Sequence, residues 1–203
     1  MSIPLDQRLA RCLVKPLSRS PVTPNQITAL SLGLALAAGA LFSTGGARAA
    51  AWAAGLFAFG RFLDHADGEL ARLQGRASRF GYYFDYAVGA VSSAALFVGI
   101  GIGFQQGVLG QWSVAAGWAA AACALIAMAL GVEADSRQGG EAGGYPALWG
   151  FELEDGIYLV APITWLGGLD WFFILAASGQ MIFCLWMLAR YLRAEPAAAA
   201  AEP

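Results

Sequence analysis

The sequence predicts an all-α integral membrane protein, with six transmembrane helices preceded by an amphipathic helix on the membrane surface. Three observations predict it. Of 203 residues, 58% are hydrophobic and 13% charged, with a mean hydropathy of +0.57; one soluble core of this size cannot hide so much apolar surface. Apolar stretches close to the roughly 20 residues that cross ~30 Å of hydrocarbon recur along the chain. The basic residues gather at alternate ends of those stretches.

The elements follow in order. Over 4–18, Leu5, Leu9, Cys12, Leu13 and Leu17 recur at helical spacing with basic residues between them, the pattern of a helix lying in the interface. Pro21 and Pro24 break the chain after it. The uninterrupted apolar run begins only near Ile27, behind Asp6, Arg8, Arg11, Lys15 and Arg19, so the start does not read as a secretory signal. The predicted spans are 27–44, 50–72, 80–104, 112–133, 155–168 and 171–190. The fifth is short and carries Pro162, and crosses only with tilt or by recruiting polar residues at its start. Residues 1–193 form one membrane domain, and the Ala- and Pro-rich stretch 194–203 reads as a disordered tail.

Orientation comes from charge. With the N-terminus in the cytoplasm, Arg8, Arg11, Lys15, Arg19, Arg72, Arg76, Arg79, Arg137, Arg190 and Arg193 all lie inside, and Arg48 alone lies in an outer loop. That asymmetry predicts a multi-pass protein of the inner or cell membrane with both termini cytoplasmic. A net charge of −2 carries no footprint for nucleic acid. Cys12, Cys123 and Cys184 have no paired spacing and indicate neither a disulfide framework nor a zinc site. Gly99 and Gly103 form G-x-x-x-G, read as close helix packing and as a possible dimer face.

The unusual residues sit at the inner ends of the second and third spans. Asp64 and Asp67, three apart, share a helix face; Gly81 and Asp85, four apart, share another. Gly68 and Ala71 leave a hollow beside the first pair, and a short inner loop allows Asp85 to face them. Ionisable residues inside spans are costly and usually functional, and converging carboxylates suit a hard divalent ion. Arg72 presents a guanidinium that matches phosphate bidentately, with Arg76 and Arg79 at the same mouth. On the residues alone a second reading stays open: interfacial charges paired with Arg61, Arg72 and Arg79.

The string D-x2-D-G-x2-A-R-x8-G-x3-D from Asp64 to Asp85 resembles the signature of the CDP-alcohol phosphotransferase (CDP-alcohol phosphatidyltransferase) family, and Pro24-Asn25-Gln26-Ile27-Thr28 resembles the segment that opens the family's first helix. The resemblance implies transfer of a phosphoalcohol, phosphatidyl-type, from a CDP-alcohol donor such as CDP-diacylglycerol to the hydroxyl of a polar acceptor, with release of CMP. It implies Asp64, Asp67 and Asp85 as ligands of Mg²⁺ or Mn²⁺. It places Asn25, Thr28, Gly68, Ala71 and Arg72 around the CDP moiety and Arg76 and Arg79 near phosphate or acceptor. It further implies a homodimer among membrane lipids and an active site open to the cytoplasm.

One position departs from the pattern. The family motif ends with a fourth aspartate, which serves the metal site and the activation of the acceptor hydroxyl; this chain has Gly89 there. Candidate replacement bases are His65, about 100° around the helix from Asp64, and the cluster Glu152, Glu154 and Asp155, which also reads as solvated loop charges. Two functions follow: an active transferase with a changed base or a single-metal site, or a catalytically silent relative that binds a CDP-alcohol or serves as a partner subunit.

Overall fold

A computed structural model describes residues 14–138, 147–148 and 151–199, with side chains over 14–136 and 156–193. Six α-helices follow one another: α1 (Pro24–Ser43), α2 (Ala47–Gln74), α3 (Arg79–Gly103), α4 (Trp112–Gln138), α5 (Val160–Trp165) and α6 (Leu169–Ala199). Short 3-10 helices occupy Pro16–Arg19 and Leu153–Leu159, and two antiparallel two-residue strands pair Ala147–Leu148 with Phe151–Glu152. Residues 1–13, the bulk of the predicted surface helix, lie outside the described residues.

Local chemistry sets the helix ends around the motif. Thr23 caps α1 in a reciprocal box in which Gln26 Oε1 accepts from the Thr23 backbone N–H at 2.9 Å, and Pro24 takes the first helical position. Gly75 ends α2 in the left-handed region at φ 63°, which a side chain would strain. Ser78 Oγ then accepts from Gly81 N at 3.0 Å and starts α3. The link between the two motif-bearing helices is therefore a four-residue turn, 75–78, tighter than the loop the sequence suggests.

Among the described residues, four helices are long and apolar enough to cross a membrane: Pro24–Ser43, Arg79–Gly103, Trp112–Ser136 and Leu169–Arg193. Two of the six predicted spans differ. Helix α2 forms and is longer than predicted, yet Arg61, Asp64, Asp67, Glu69 and Arg72 load its C-terminal half with charge. The predicted fifth span, 155–168, is instead a 3-10 turn followed by the six-residue α5, ended by Gly167 at φ 81°. Six residues rise only ~9 Å, well short of a bilayer core. At the other end α6 continues as backbone to Ala199, past the predicted limit of 190 and into the alanine-rich stretch read as a tail; alanine is the strongest helix former.

The core is built on α1. It packs along both α2 and α3, whereas α2 and α3 make few direct contacts with each other; α4 then packs on α3, and α6 on α4 and on α5. Small residues make the approaches possible. A Cβ added to Gly39 would meet Ala95 O at 2.6 Å, one on Gly101 would meet Ser113 O at 2.6 Å, and one on Gly117 would meet Phe97 O at 2.5 Å. Gly99 and Gly103 press on the backbone of Gly39 and Phe42. The G-x-x-x-G face is thus spent inside the chain, between α3 and α1, and does not supply the dimer face the sequence suggested. Phe42, Phe57, Leu96, Ile100 and Phe173 fill the buried centre, while Trp52, Leu166, Trp171, Leu175 and Ile182 face outwards, as side chains in lipid contact do.

Candidate metal and nucleotide site

Because α1 separates the two motif helices, the carboxylates converge in the gap at its N-terminal end. One oxygen from each of Asp64, Asp67 and Asp85 lies within 4.8 Å of the others. Their burial is graded: Asp67 is 4% exposed, Asp64 intermediate and Asp85 exposed, so the cluster is anchored in the protein and open on the Asp85 side. Three convergent hard oxygen donors fit a divalent ion of the Mg²⁺ or Mn²⁺ kind.

Helix α1 supplies the floor. Thr28, 3% exposed, donates its hydroxyl to Asp67 Oδ2. Pro24 O is within reach of the same hydroxyl at 3.2 Å, but the charged acceptor is the stronger. Ser31 Oγ bonds Thr28 O at 2.8 Å and lies 3.4 Å from Asp64 Oδ1. Thr28 thus stands one layer behind the carboxylates, whereas the sequence reading placed it beside the nucleotide. Asn25 shares its helix face, and its Oδ1 lies 3.4 Å from where a Cβ would stand on Gly81, so the first turns of α1 and α3 meet here.

The cations divide into two groups. Arg61, 8% exposed, hydrogen-bonds Asp64 Oδ2 through Nη1. Arg72 bonds Glu69 Oε1 at 3.0 Å with a side chain 62% exposed, and its guanidinium lies beside Gly68. Arg76 and Arg79 are exposed around the α2–α3 turn. The alternative in which Arg61, Arg72 and Arg79 pair with the aspartates is therefore realised at Arg61–Asp64, while Arg72 pairs with Glu69. Sequence reasoning passed over Arg61 as a site residue; its i, i+3 spacing to Asp64 was the available signal.

Gly89 does not open onto vacant space. A Cβ there would lie 3.7 Å from Arg61 Nη1. His65 is engaged by Arg61 and Tyr158: Nδ1 is 3.0 Å from Arg61 O and 3.1 Å from the Tyr158 hydroxyl, and the two rings lie 5.9 Å apart. The side chains of Glu152, Glu154 and Asp155 lie outside those described. Two tyrosines of α3 reach a different acid: Tyr82 and Tyr86 both donate to Asp135 of α4, Tyr86 at 2.9 Å, fixing α3 on α4 next to Asp85.

Beside the cluster is a cavity of about 370 Å³, between α2, α3, α5 and α6. Phe97, Ile163, Phe172, Leu175 and Phe183 are among its apolar walls, and Arg61 is the one charged residue among those described that line it. Arg61 therefore belongs to both the carboxylate cluster and the cavity.

An α-helical bundle with membrane-length helices and a carboxylate site at one end defines an integral membrane protein with a divalent-ion site. The comparisons give its family: the model for CDP-alcohol phosphatidyltransferase matches residues 21–200, and the chain belongs to that family. Among curated relatives, the archaetidylinositol phosphate synthase of Pyrococcus horikoshii is 35% identical over 89 residues, covering 44% of this chain and 46% of the relative. The phosphatidylinositol phosphate synthase of Corynebacterium glutamicum is 37% identical over 93 residues, covering 43% and 41%. These matches thus span less than half the length of each relative. The fold is similar to that of the Mycobacterium tuberculosis phosphatidylinositol phosphate synthase. Its structure with manganese and citrate has a TM-score of 0.69 at 21% identity, covering 93% of this chain and 89% of that one. Its structure with CDP-DAG bound has a TM-score of 0.68 at 21% identity, covering 92% and 93%.

Proposed function

We propose that this protein transfers a phosphoalcohol group from a CDP-alcohol to a hydroxyl acceptor and releases CMP, in the synthesis of phospholipids or polar phosphodiesters. The observation that carries the reading is the convergence of Asp64, Asp67 and Asp85 within the family motif. These three would hold Mg²⁺ or Mn²⁺. A bound ion supplies charge neutralisation for the pyrophosphate as its bond to the departing CMP breaks.

The chain's own residues do the rest. Asn25, Gly68 and Ala71 line the approach for the CDP moiety. Arg72 meets phosphate bidentately by exchanging its exposed pairing with Glu69. Arg76 and Arg79 raise the local concentration of anionic donor and acceptor. A CDP-linked lipid such as CDP-diacylglycerol fits an apolar bundle with a polar site at its end. The protein has six membrane crossings in this reading, the second being the charged α2 and the fifth made of the Leu153–Leu159 turn with α5. A surface helix precedes them, and both termini and the site face the cytoplasm. The pairing into homodimers belongs to the same reading.

The Gly89 substitution favours a second reading, a silent relative that binds a CDP-alcohol or supports a partner subunit without turnover. His65 Nδ1 is engaged by the Tyr158 hydroxyl and the Arg61 carbonyl, which makes it a poor replacement for the missing base. Purified protein in nanodiscs, given CDP-diacylglycerol or soluble CDP-alcohols with Mn²⁺ and a panel of polar acceptors, separates the two. Acceptor-dependent CMP release that disappears in Asp85→Asn is the expected result. Metal-dependent CDP binding without CMP release sinks the transferase reading and leaves the silent one.

A further inference from the structure

We propose that Arg61 is a built-in second cation of this site, seated in the room that Gly89 leaves, and that the site consequently takes a single divalent ion. The inference rests on the metal-site reading above and adds the number of ions and the residue that sets it.

Three observations converge. The guanidinium is hydrogen-bonded to Asp64 Oδ2 and only 3.7 Å from a Cβ position on Gly89, so it stands between the first aspartate of the motif and the place of the missing fourth one. Both members of the pair are largely buried, with side chains 9% and 10% exposed; a charge so placed is held by its partner and does not wander into solvent. Finally, Arg61 also forms the charged spot on the wall of the otherwise largely apolar cavity. A strongly hydrated divalent ion dehydrates reluctantly against such a wall, whereas a guanidinium is weakly hydrated and suits it.

Charge and ligand atoms agree with one ion. Three carboxylates and one guanidinium sum to a formal −2, the charge one divalent ion neutralises. Arg61 engages Asp64 Oδ2 and Thr28 engages Asp67 Oδ2, so each of these two aspartates already commits an oxygen to a partner, and a single ligand oxygen from each of the three converges within 4.8 Å, room for one centre. Without the guanidinium and with a carboxylate at position 89 the sum becomes −4, which two divalent ions neutralise. Arg61 then offers phosphate oxygens the fixed positive charge on the cavity side that a second ion would otherwise provide.

The test is Mn²⁺ stoichiometry of the full-length protein in detergent, by titration calorimetry and electron paramagnetic resonance. The parent should bind one Mn²⁺ per chain with the spectrum of an isolated ion. The double variant Arg61→Gln/Gly89→Asp should bind two, with the broadening of an exchange-coupled pair. Arg61→Gln alone should bind the first ion about tenfold more tightly, since it removes a cation a few ångströms from the ligands, whereas Arg61→Lys should keep the parent affinity. Two ions in the parent overturn the proposal. So does an unchanged affinity in Arg61→Gln, or a lysine variant that behaves like the glutamine one, which would make the effect one of packing. Two ions together with CMP release would remove this inference and leave the transferase reading; one ion without CMP release would do the reverse.

Discussion

The site's three aspartates are unequal in what surrounds them, and their neighbours explain why. Asp67 is the deepest and is met by the hydroxyl of a buried threonine; Asp64 has a guanidinium on one oxygen; Asp85 faces outwards. A neutral partner standing behind a ligand, as Thr28 does behind Asp67, fixes its orientation, and losing one typically costs ten- to a hundred-fold in metal affinity, whereas a cation such as Arg61 also opposes the ion by its charge. Thr28→Val keeps shape and removes the hydroxyl, so Mn²⁺ binding should weaken about tenfold while Thr28→Ser stays near the parent. Calorimetric titration checks this, and equal affinity in the valine variant would mean Thr28 is only packing. The aspartates were legible because their spacing is a chain-local pattern. The roles of Thr28 and Arg61 were not: Thr28 touches Asp67 across 39 positions of sequence, and Arg61 acquires its meaning from Gly89 on the next helix.

Helices here are held by backbone proximity more than by large side chains. A bilayer gives no hydrophobic drive between helices, so close van der Waals packing must do the work. The α1–α3 seam is the clearest case, because Gly39 stands against the backbone of Ala95 and Gly99 against that of Gly39, with no space for a Cβ on either. Gly99→Leu should cost at least the ~1–3 kcal/mol typical of overpacking and displace Asp85 relative to Asp67, lowering both the melting temperature in detergent and Mn²⁺ binding. Gly33→Ala, on the same α1 but with nothing within 4 Å of the added Cβ, should change stability by no more than about 1 kcal/mol. Similar melting temperatures for the two variants would contradict the seam. Four of the six predicted spans were legible as long apolar runs. The fifth failed as a continuous helix because hydropathy adds up residues without regard to breaks: Pro162 and Gly167 leave it six residues long.

Taken whole, the bundle has a charged end carrying the cluster and the α2–α3 turn, and an opposite end at the α1–α2 and α3–α4 connections. Arg76 lies at the first and Gln111 at the second. In the proposed orientation, a cysteine-free background with Gln111→Cys should react with a membrane-impermeant maleimide in intact cells, and Arg76→Cys only after permeabilisation. The opposite pattern would invert the topology and place the site outside. From composition, apolar period and charge placement came the membrane class, and from the resemblance of the Asp64–Asp85 string came the family and its expected metal ligands, because each is written in local spacing. What needed the folded chain was the wedge of α1 between the motif helices, the burial that ranks the carboxylates, and the meeting of Arg61 with Gly89. These depend on which surfaces approach closely enough to exclude a Cβ, a property of pairs of helices that no single stretch of sequence carries.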